Sequence, residues 1–540
     1  MDQNFFGRTE VLELLQKRVV DLKDGYRHNV ALLGPQFVGK SSILQYFLSN
    51  LDDDRVIPIY LDLESKDFTY FFTKFVGSLL YYFSKNQGLA PQDDLNLLLE
   101  MTKKHIPHTV EVIQRIRQDF EKEKVTDTFL GLLTLPEIFT NETGKFCVLI
   151  IDEFQNLEDF LVPDIFQSLG KKIMTQKRCL YVVSSSFPKT AQKILSEKLS
   201  LLFGSFALVD IDCFDLDNSQ KFIEHNLKEI KIGAQLRNFL TDFTGGHPLY
   251  LYLISKELIH LSAIYKQDEI YMPLLAQAVE NTIFNRWGVI SRHFELIMAD
   301  LCGGKGQRNN SLVLMAIANG KHKLDDLVGA LPMKKTNITQ KINRLSEAGV
   351  VVKNGNFYYL KDRLFKYWIK YVYQIRMKDV EFSSDKQYRQ FKEEFNRSIE
   401  NFKISSRKDF PSRVMELLYC FDNEAFDLNG RHYKLPQFRD IIPMKFKNDS
   451  GLSLDVLKAS TKDALWFIVM KKDSVLESDV NDFLKESKQI GTKPEKCLII
   501  SLSNLDENAK LRALQERIWI WNEYELNTLL TLFDKPFILR

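Results

Sequence analysis

One short stretch constrains the chain more than any other: Gly34-Pro-Gln-Phe-Val-Gly-Lys-Ser41, between the apolar run Val30 to Leu33 and a segment of helical character, Ser42 to Leu51. Glycines at Gly34 and Gly39 let the backbone turn back on itself. The main chain of Pro35, Gln36, Phe37 and Val38 then surrounds one point. The N-terminus of the following helix adds its positive dipole end there through Lys40, Ser41 and Ser42. Such a cradle suits phosphate: Lys40 can reach the β- and γ-phosphates of a nucleotide, and the Ser41 hydroxyl can hold Mg²⁺. The strand before the loop and the helix after it supply the context this pattern requires. ATP or ADP with Mg²⁺ is the expected ligand set.

A second stretch, Phe146-Cys-Val-Leu-Ile-Ile-Asp-Glu153, is an apolar run closed by two acids. Its length and β-branched content read as a strand buried on both faces, as in a parallel sheet. Asp152 would accept from water on Mg²⁺, and Glu153 would polarise the attacking water as base. A third run, Cys179-Leu-Tyr-Val-Val-Ser-Ser-Ser186, ends in hydroxyls. Ser184 or Ser185 would hydrogen-bond the water or the γ-phosphate between the other two motifs; a plain serine-rich loop is the alternative.

At 540 residues the chain exceeds the ~250–300 at which single cores stop growing, so several domains are expected. Its 45% hydrophobic and 27% charged content is that of a soluble globular protein, and a net charge of +2 gives no global pull towards nucleic acid or membrane. Any DNA-binding surface must be local. The cysteines lie far apart with no C-x-x-C pair, which reads as reduced core residues in a cytosolic protein. The first residues do not read as a signal peptide, and no apolar run approaches the ~18–20 residues needed to cross a bilayer. A cytoplasmic protein without a membrane partner is expected.

Taken in order, Phe5-Phe-Gly-Arg-Thr-Glu10 precedes an amphipathic helix, Val11 to Leu22, with Thr9 as a candidate N-cap. Val56 to Leu63 reads as the second strand, and Pro58 within it points to a sheet edge. From Lys66 to about Gly144 the pattern is helical, and its polar second half reads as a solvated insert. A helix over Ala191 to Leu199 leads through Leu201 to Phe206 into a fifth strand, Ala207 to Ile211. Later, Thr244-Gly-Gly-His-Pro-Leu-Tyr-Leu251 is a tight helix–helix corner, with Pro248 where a missing N–H costs nothing.

Together these motifs resemble the archaeal-type ATPases of the STAND and origin-recognition-like branches of the AAA+ superfamily. Phe5-Phe6-Gly7-Arg8 is similar to their opening "F-x-G-R" box, although Glu10 follows the arginine one residue early. Gly245 to Leu251 is similar to their "G-G-x-P-x-x-L" lid motif. The resemblance implies that Phe6, Gly7 and Arg8 lie at the adenine and that Pro248 and its neighbours pack on the nucleotide. Ring-forming members usually carry an arginine finger just before the fifth strand; here only Lys189, Lys193 and Lys198 are cationic. Such a finger is worth ~10³–10⁵ in rate, so slow turnover or activation by a partner is expected: a switch rather than a motor.

Residues 310–360 read as three helices and a hairpin, a winged helix, with Asn354-Gly355 as the turn. Lys334, Lys335, Lys341, Asn343 and Arg344 lie on or beside its third helix, and Lys353 in the wing. Duplex DNA is one partner this surface could take. A regulatory arm that packs on the ATPase is the other, as the STAND resemblance allows, with a protein partner or self-association as the expected recipient of the switch. A charged helical stretch reads as an exposed connector. The remainder resembles a restriction-endonuclease-like domain, with Glu416, Asp455 and Lys471 as its site. Such nucleases need an acid two residues before the lysine, and Val469 stands there. A degenerate binding domain is therefore expected, and an active ATP-dependent nuclease is the alternative.

The expected architecture is multidomain α/β: a P-loop parallel-sheet core over 1–213, an AAA+-like helical lid over 214–302 and a winged helix over 303–373. A connector over 374–407 and a PD-(D/E)XK-like α/β domain over 408–540 follow.

Overall fold

The computed structural model describes residues 5–64, 67–199, 204–304, 307, 309–378, 384–447, 453–489, 494–503 and 505–538. It divides into two compact units, Met1–Phe214 with His247–Leu249, and Asp215–Gly246 with Tyr250–Arg540. Among the described residues, no helix is long and apolar enough to cross a membrane.

The first unit is built on five parallel strands: β1 (Asn29–Leu33), β2 (Val56–Asp62), β3 (Phe146–Asp152), β4 (Cys179–Ser185) and β5 (Phe206–Asp210). Their order across the sheet is β2-β3-β4-β1-β5. Pro58 lies in the edge strand β2, where its missing N–H costs no ladder bond. Side chains alternate between the two faces. Val30, Leu32, Val148 and Ile150 pack with helices α1 (Thr9–Lys23) and α2 (Lys40–Ser49). Ala31, Leu33, Leu149 and Ile151 face the other way, into a core supplied by α3 (Phe68–Asn86), α4 (Leu95–Thr102), α5 (Pro107–Glu121) and α6 (Val125–Thr143).

Two expectations are corrected here. The polar part of the insert is not merely solvated: Val110, Ile113 and Ile116 of α5 are buried in the main core. Spaced at helical intervals, they give one apolar stripe that the average composition hides. The N-cap of α1 is Arg8, in the left-handed region at φ 60°, rather than Thr9. The Leu201–Phe206 stretch lies partly outside the described residues.

In the second unit, Asn310–Ala318, Leu324–Ala330 and Lys335–Glu347 form three helices, followed by an antiparallel hairpin of Val351–Asn354 and Phe357–Leu360. The hairpin turn falls on Gly355 and Asn356, one residue later than expected. The helix Ser384–Ser406 was expected as an exposed connector, yet Phe391, Phe395, Ile399 and Phe402 are buried along it. Phe395 and Phe402 meet Phe239 edge-on at 5.7 and 5.6 Å.

The carboxy-terminal sheet runs in chain order through Asp440–Lys447, Ser453–Ser460, Leu465–Lys471, Lys496–Ser501 and Trp519–Trp521. Its first two pairings are antiparallel and its last two parallel. Sequence reasoning missed the first of these strands and the hairpin Ala425–Leu428/Arg431–Lys434, because both mix charged and apolar residues without a long apolar run.

The tip of the first hairpin is docked on the second. Asn354 Nδ2 donates to Asp427 O at 2.9 Å, Asp427 N donates to Asn354 Oδ1 at 2.7 Å, and Asn356 N donates to Ala425 O at 3.0 Å. Gly355 has φ +57°, and a Cβ there would come within 2.0 Å of Ala425 O. Gly355→Ala is therefore expected to destabilise this unit by about 2 kcal/mol or more, read as a lowered denaturant midpoint.

Candidate functional site

The strand order puts β4 between β1 and β3, so the segments that leave the carboxyl ends of all three meet at one edge of the sheet. Gly34 leaves β1 against its neighbours: its N–H donates to Ser185 O at 3.2 Å, and a Cβ on it would lie 2.0 Å from Ile211 O. Gly39, at φ 100°, turns the chain into α2. Between them Val38 is buried in the apolar cluster, while Gln36 and Phe37 lie outside. Ser41 and Ser42 are exposed in the first turn of α2, where backbone N–H groups have no partner within the helix.

Lys40 is only 3% exposed. Its Nζ donates to Gly34 O at 3.0 Å, Pro35 O at 2.7 Å and Ser186 Oγ at 2.8 Å. Burial lowers its pKa, and the nearby charges of Glu153 and Asp152 act in the opposite sense.

Asp152 ends β3 and is 2% exposed. Its carboxylate accepts from Ser184 Oγ and, at 3.0 Å, from the Tyr60 hydroxyl. Burial and then the Asp152 charge push the Tyr60 phenol well up, so it stays a donor. Glu153 adopts the left-handed conformation at φ 55°, which turns the chain out of the strand into the short helix Phe154–Phe160. Its carboxylate accepts from Ser186 N at 2.9 Å, from Ser186 Oγ and from Gln155 Nε2 at 2.8 Å.

Ser186 therefore joins Lys40 to Glu153, and sequence reasoning had not selected it. Ser184 does reach Asp152, but the Ser185 hydroxyl turns away to accept from Phe187 N at 3.0 Å. Strand alternation held the signal: Ser184 and Ser186 share a parity that Ser185 does not.

The opening loop closes on the same unit. Arg8 donates to Asp212 O and, at 3.4 Å, to Val38 O, and its guanidinium lies 4.8 Å from the Phe214 ring centroid. Phe6 meets Phe214 edge-on at 5.9 Å, and a Cβ on Gly7 would lie 3.8 Å from that ring. His247, the residue before Pro248, has Nε2 3.2 Å from Gln36 O, and this contact with the loop was also missed. Pro248 opens the helix Pro248–Tyr265.

The remaining candidates are more dispersed. Lys334, Asn343, Arg344 and Lys353 are exposed. Lys335 Nζ lies 3.4 Å from Asp325, and Lys341 Nζ donates to Asn310 Oδ1 at 3.3 Å. The nuclease-like trio is not assembled. Asp455 pairs across the sheet with Met470 and shares a face with Leu457 and Ala459. Lys471 alternates onto the opposite face, with Val469, and pairs with Asp479 at 2.6 Å. Glu416 pairs with Lys408. Among the described residues no group of three His, Cys, Asp or Glu could hold a metal ion by itself.

The first constellation fits a magnesium-bound triphosphate. It offers a glycine-bounded loop closed to side chains at Gly34, a buried cation, helix N–H donors and a carboxylate whose two oxygens already accept from hydroxyls, which suits holding a metal-bound water. Ser186→Ala would cut the link between Lys40 and Glu153 and release the Glu153 carboxylate; ATP turnover is expected to rise by ~2–10-fold with little change in nucleotide affinity, measured by phosphate release and calorimetry. Ser185→Ala is expected to leave turnover within about twofold, because its hydroxyl serves the backbone.

Residues 5–254 match the family model described as an ATPase domain predominantly from Archaea. A search of curated proteins returned no match. Among solved structures, the Walker-type ATPase of Pyrococcus abyssi aligns at 16% identity and a TM-score of 0.46, covering 68% of this chain and 97% of that one. The ORC2 protein of Aeropyrum pernix, in ADPNP-ADP complexes, aligns at 12% identity and a TM-score of 0.43, covering 70% and 98%. The RuvB Holliday junction branch migration motor of Thermotoga maritima aligns at 13% identity and a TM-score of 0.34, covering 68% and 96%. The family match spans the opening loop, the phosphate cradle, the paired acids and the first residues of the Pro248 helix, so over residues 5–254 the chain is similar to this family of ATPase domains.

Proposed function

We propose that this chain binds ATP with Mg²⁺ and hydrolyses it slowly, as a conformational switch coupled to a winged helix and a carboxy-terminal domain that resembles a degenerate nuclease. The observation that carries this reading is the commitment of Glu153: its carboxylate oxygens are taken by Ser186 and Gln155, and Ser186 is in turn held by Lys40. Drawing the Lys40 ammonium towards a phosphate loosens its bond to Ser186. Glu153 can then turn to the attacking water and take its proton. Mg²⁺, held by Ser41 and through water by Asp152, would supply charge neutralisation between the phosphates. Ser184 and Tyr60 fix Asp152 for that task, and the backbone of the loop binds phosphate oxygens. Slow turnover also follows from the lack of an arginine between Ser184 and Asp210.

The output we favour is a protein partner or a second copy, because the hairpin tip that would serve as a DNA wing already makes its hydrogen bonds within the chain. A second reading, a nucleotide-gated binder of duplex DNA, is favoured by the exposed Lys334, Asn343, Arg344 and Lys353. The opposite-face placement of Asp455 and Lys471 speaks against DNA cleavage.

Glu153→Gln is expected to lower ATP turnover by ~10²–10⁴-fold while nucleotide binding persists, and Lys40→Ala to abolish binding at the site. Turnover should not respond to duplex DNA. Stimulation by DNA that is lost in Lys341→Ala/Arg344→Ala would replace the protein-facing switch with the DNA reading. Equal turnover in native and Glu153→Gln chains would remove the catalytic assignment altogether.

A further inference from the structure

Residues 535–538 follow the helix Glu523–Leu532 and are held largely by side chains of other elements in the second unit. Phe537 N donates to Asp242 Oδ1 at 2.8 Å, and the Arg363 guanidinium lies 4.1 Å from the Phe537 ring centroid. Arg413 donates to Pro536 O and, at 3.4 Å, to Phe537 O. Asp242 also pairs with Arg363 at 3.1 Å, so one carboxylate and one guanidinium fasten this tail to the helix Ala234–Thr244. Asp242 is 7% exposed, and a carboxylate so placed holds its charge-assisted partners firmly. Asp534, Pro536, Asp242 and Phe243 line one cavity of about 280 Å³, so polar contacts rather than close packing join tail and helix there.

The end of that helix leads directly to the Lys40 site. Gly245 N donates to Asp242 O at 3.2 Å and Gly246 N to Thr241 O at 3.1 Å, both glycines being left-handed, so the corner is tied back to the helix and follows it. Arg363 lies against the same corner: a Cβ on Gly245 would be 3.4 Å from Arg363 Cδ. The next residue is His247, whose Nε2 is 3.2 Å from Gln36 O in the phosphate loop. A continuous series of contacts therefore runs from Phe537 through Asp242 and Arg363 to the corner, and through His247 to the loop.

We infer that residues 535–537 are a latch that holds the Gly245–His247 corner on the phosphate loop and thereby slows nucleotide exchange at the Lys40 site, with Asp242 and Arg363 as positioning residues; this rests on the ATP-binding reading above. Phe537→Pro in the full chain tests it, because it removes the N–H given to Asp242 and the ring under Arg363 but keeps Ile538 in the carboxy-terminal core. Without nucleotide, the peptide spanning 243–249 should exchange its amide hydrogens at least ~10-fold faster than in the native chain, by mass spectrometry. A fluorescent ADP analogue chased with ADP should leave at least ~5-fold faster. Asp242→Asn should act in the same direction and add little to Phe537→Pro. Gly355→Ala, which loosens the second unit elsewhere, should move neither readout. Unchanged exchange over 243–249 in Phe537→Pro, or equal changes in Gly355→Ala, would overturn the latch. If the native chain binds the analogue and its release is unmoved by Phe537→Pro, the latch alone falls; if the native chain binds no analogue, the ATP reading falls and the latch with it.

Discussion

Lys40 places an ammonium group where almost no solvent reaches it, and the first unit is arranged to make that tolerable. An unpaired buried cation would cost several kcal/mol. Here two carbonyls of its own loop and the Ser186 hydroxyl accept its protons, and Asp152 and Glu153 supply nearby negative charge. Those partners come from three segments that follow three different strands. The buried charge is satisfied only when β1, β3 and β4 are in this order, so the demand of one side chain and the topology of the sheet reinforce each other.

The same arrangement couples the lysine to one of the two acids. Ser186 donates to Glu153 while accepting from Lys40, so any anion that competes for Lys40 also changes what holds Glu153. Asp152 is held differently, by two hydroxyls that have no contact with the lysine. One acid is fixed and the other is conditional. Around them Arg8 ties the opening loop to Val38 and Asp212, and His247 touches the carbonyl of Gln36, so both chain ends of this unit bear on the same loop.

In the second unit the dominant constraint is a hairpin whose turn is an internal contact. Gly355 leaves no room for a side chain beside Ala425, and Phe357 belongs to the carboxy-terminal core. Asp534 strengthens the junction: burial would raise its pKa, but the hydrogen bond from His322 and the charge of Lys366 outweigh this and hold it down at about 2. Through Phe357 the hairpin and the carboxy-terminal sheet thus share one core, which a domain-by-domain reading treats as separate.

What the sequence determined by itself was whatever local spacing dictates. The glycines around the cradle, the apolar strands closed by Asp152 and by serines, Pro58 at an edge and the turn near Gly355 each follow from short-range geometry that no distant residue needs to supply. Tertiary structure alone decided which hydroxyl completes the site, because Ser184, Ser185 and Ser186 differ only in the face they present once β4 lies between β1 and β3. It likewise decided that Asp455 and Lys471 part company across a sheet, and that the phenylalanines of Ser384–Ser406 are core. Burial and pairing are properties of neighbours far along the chain, and composition averages them away.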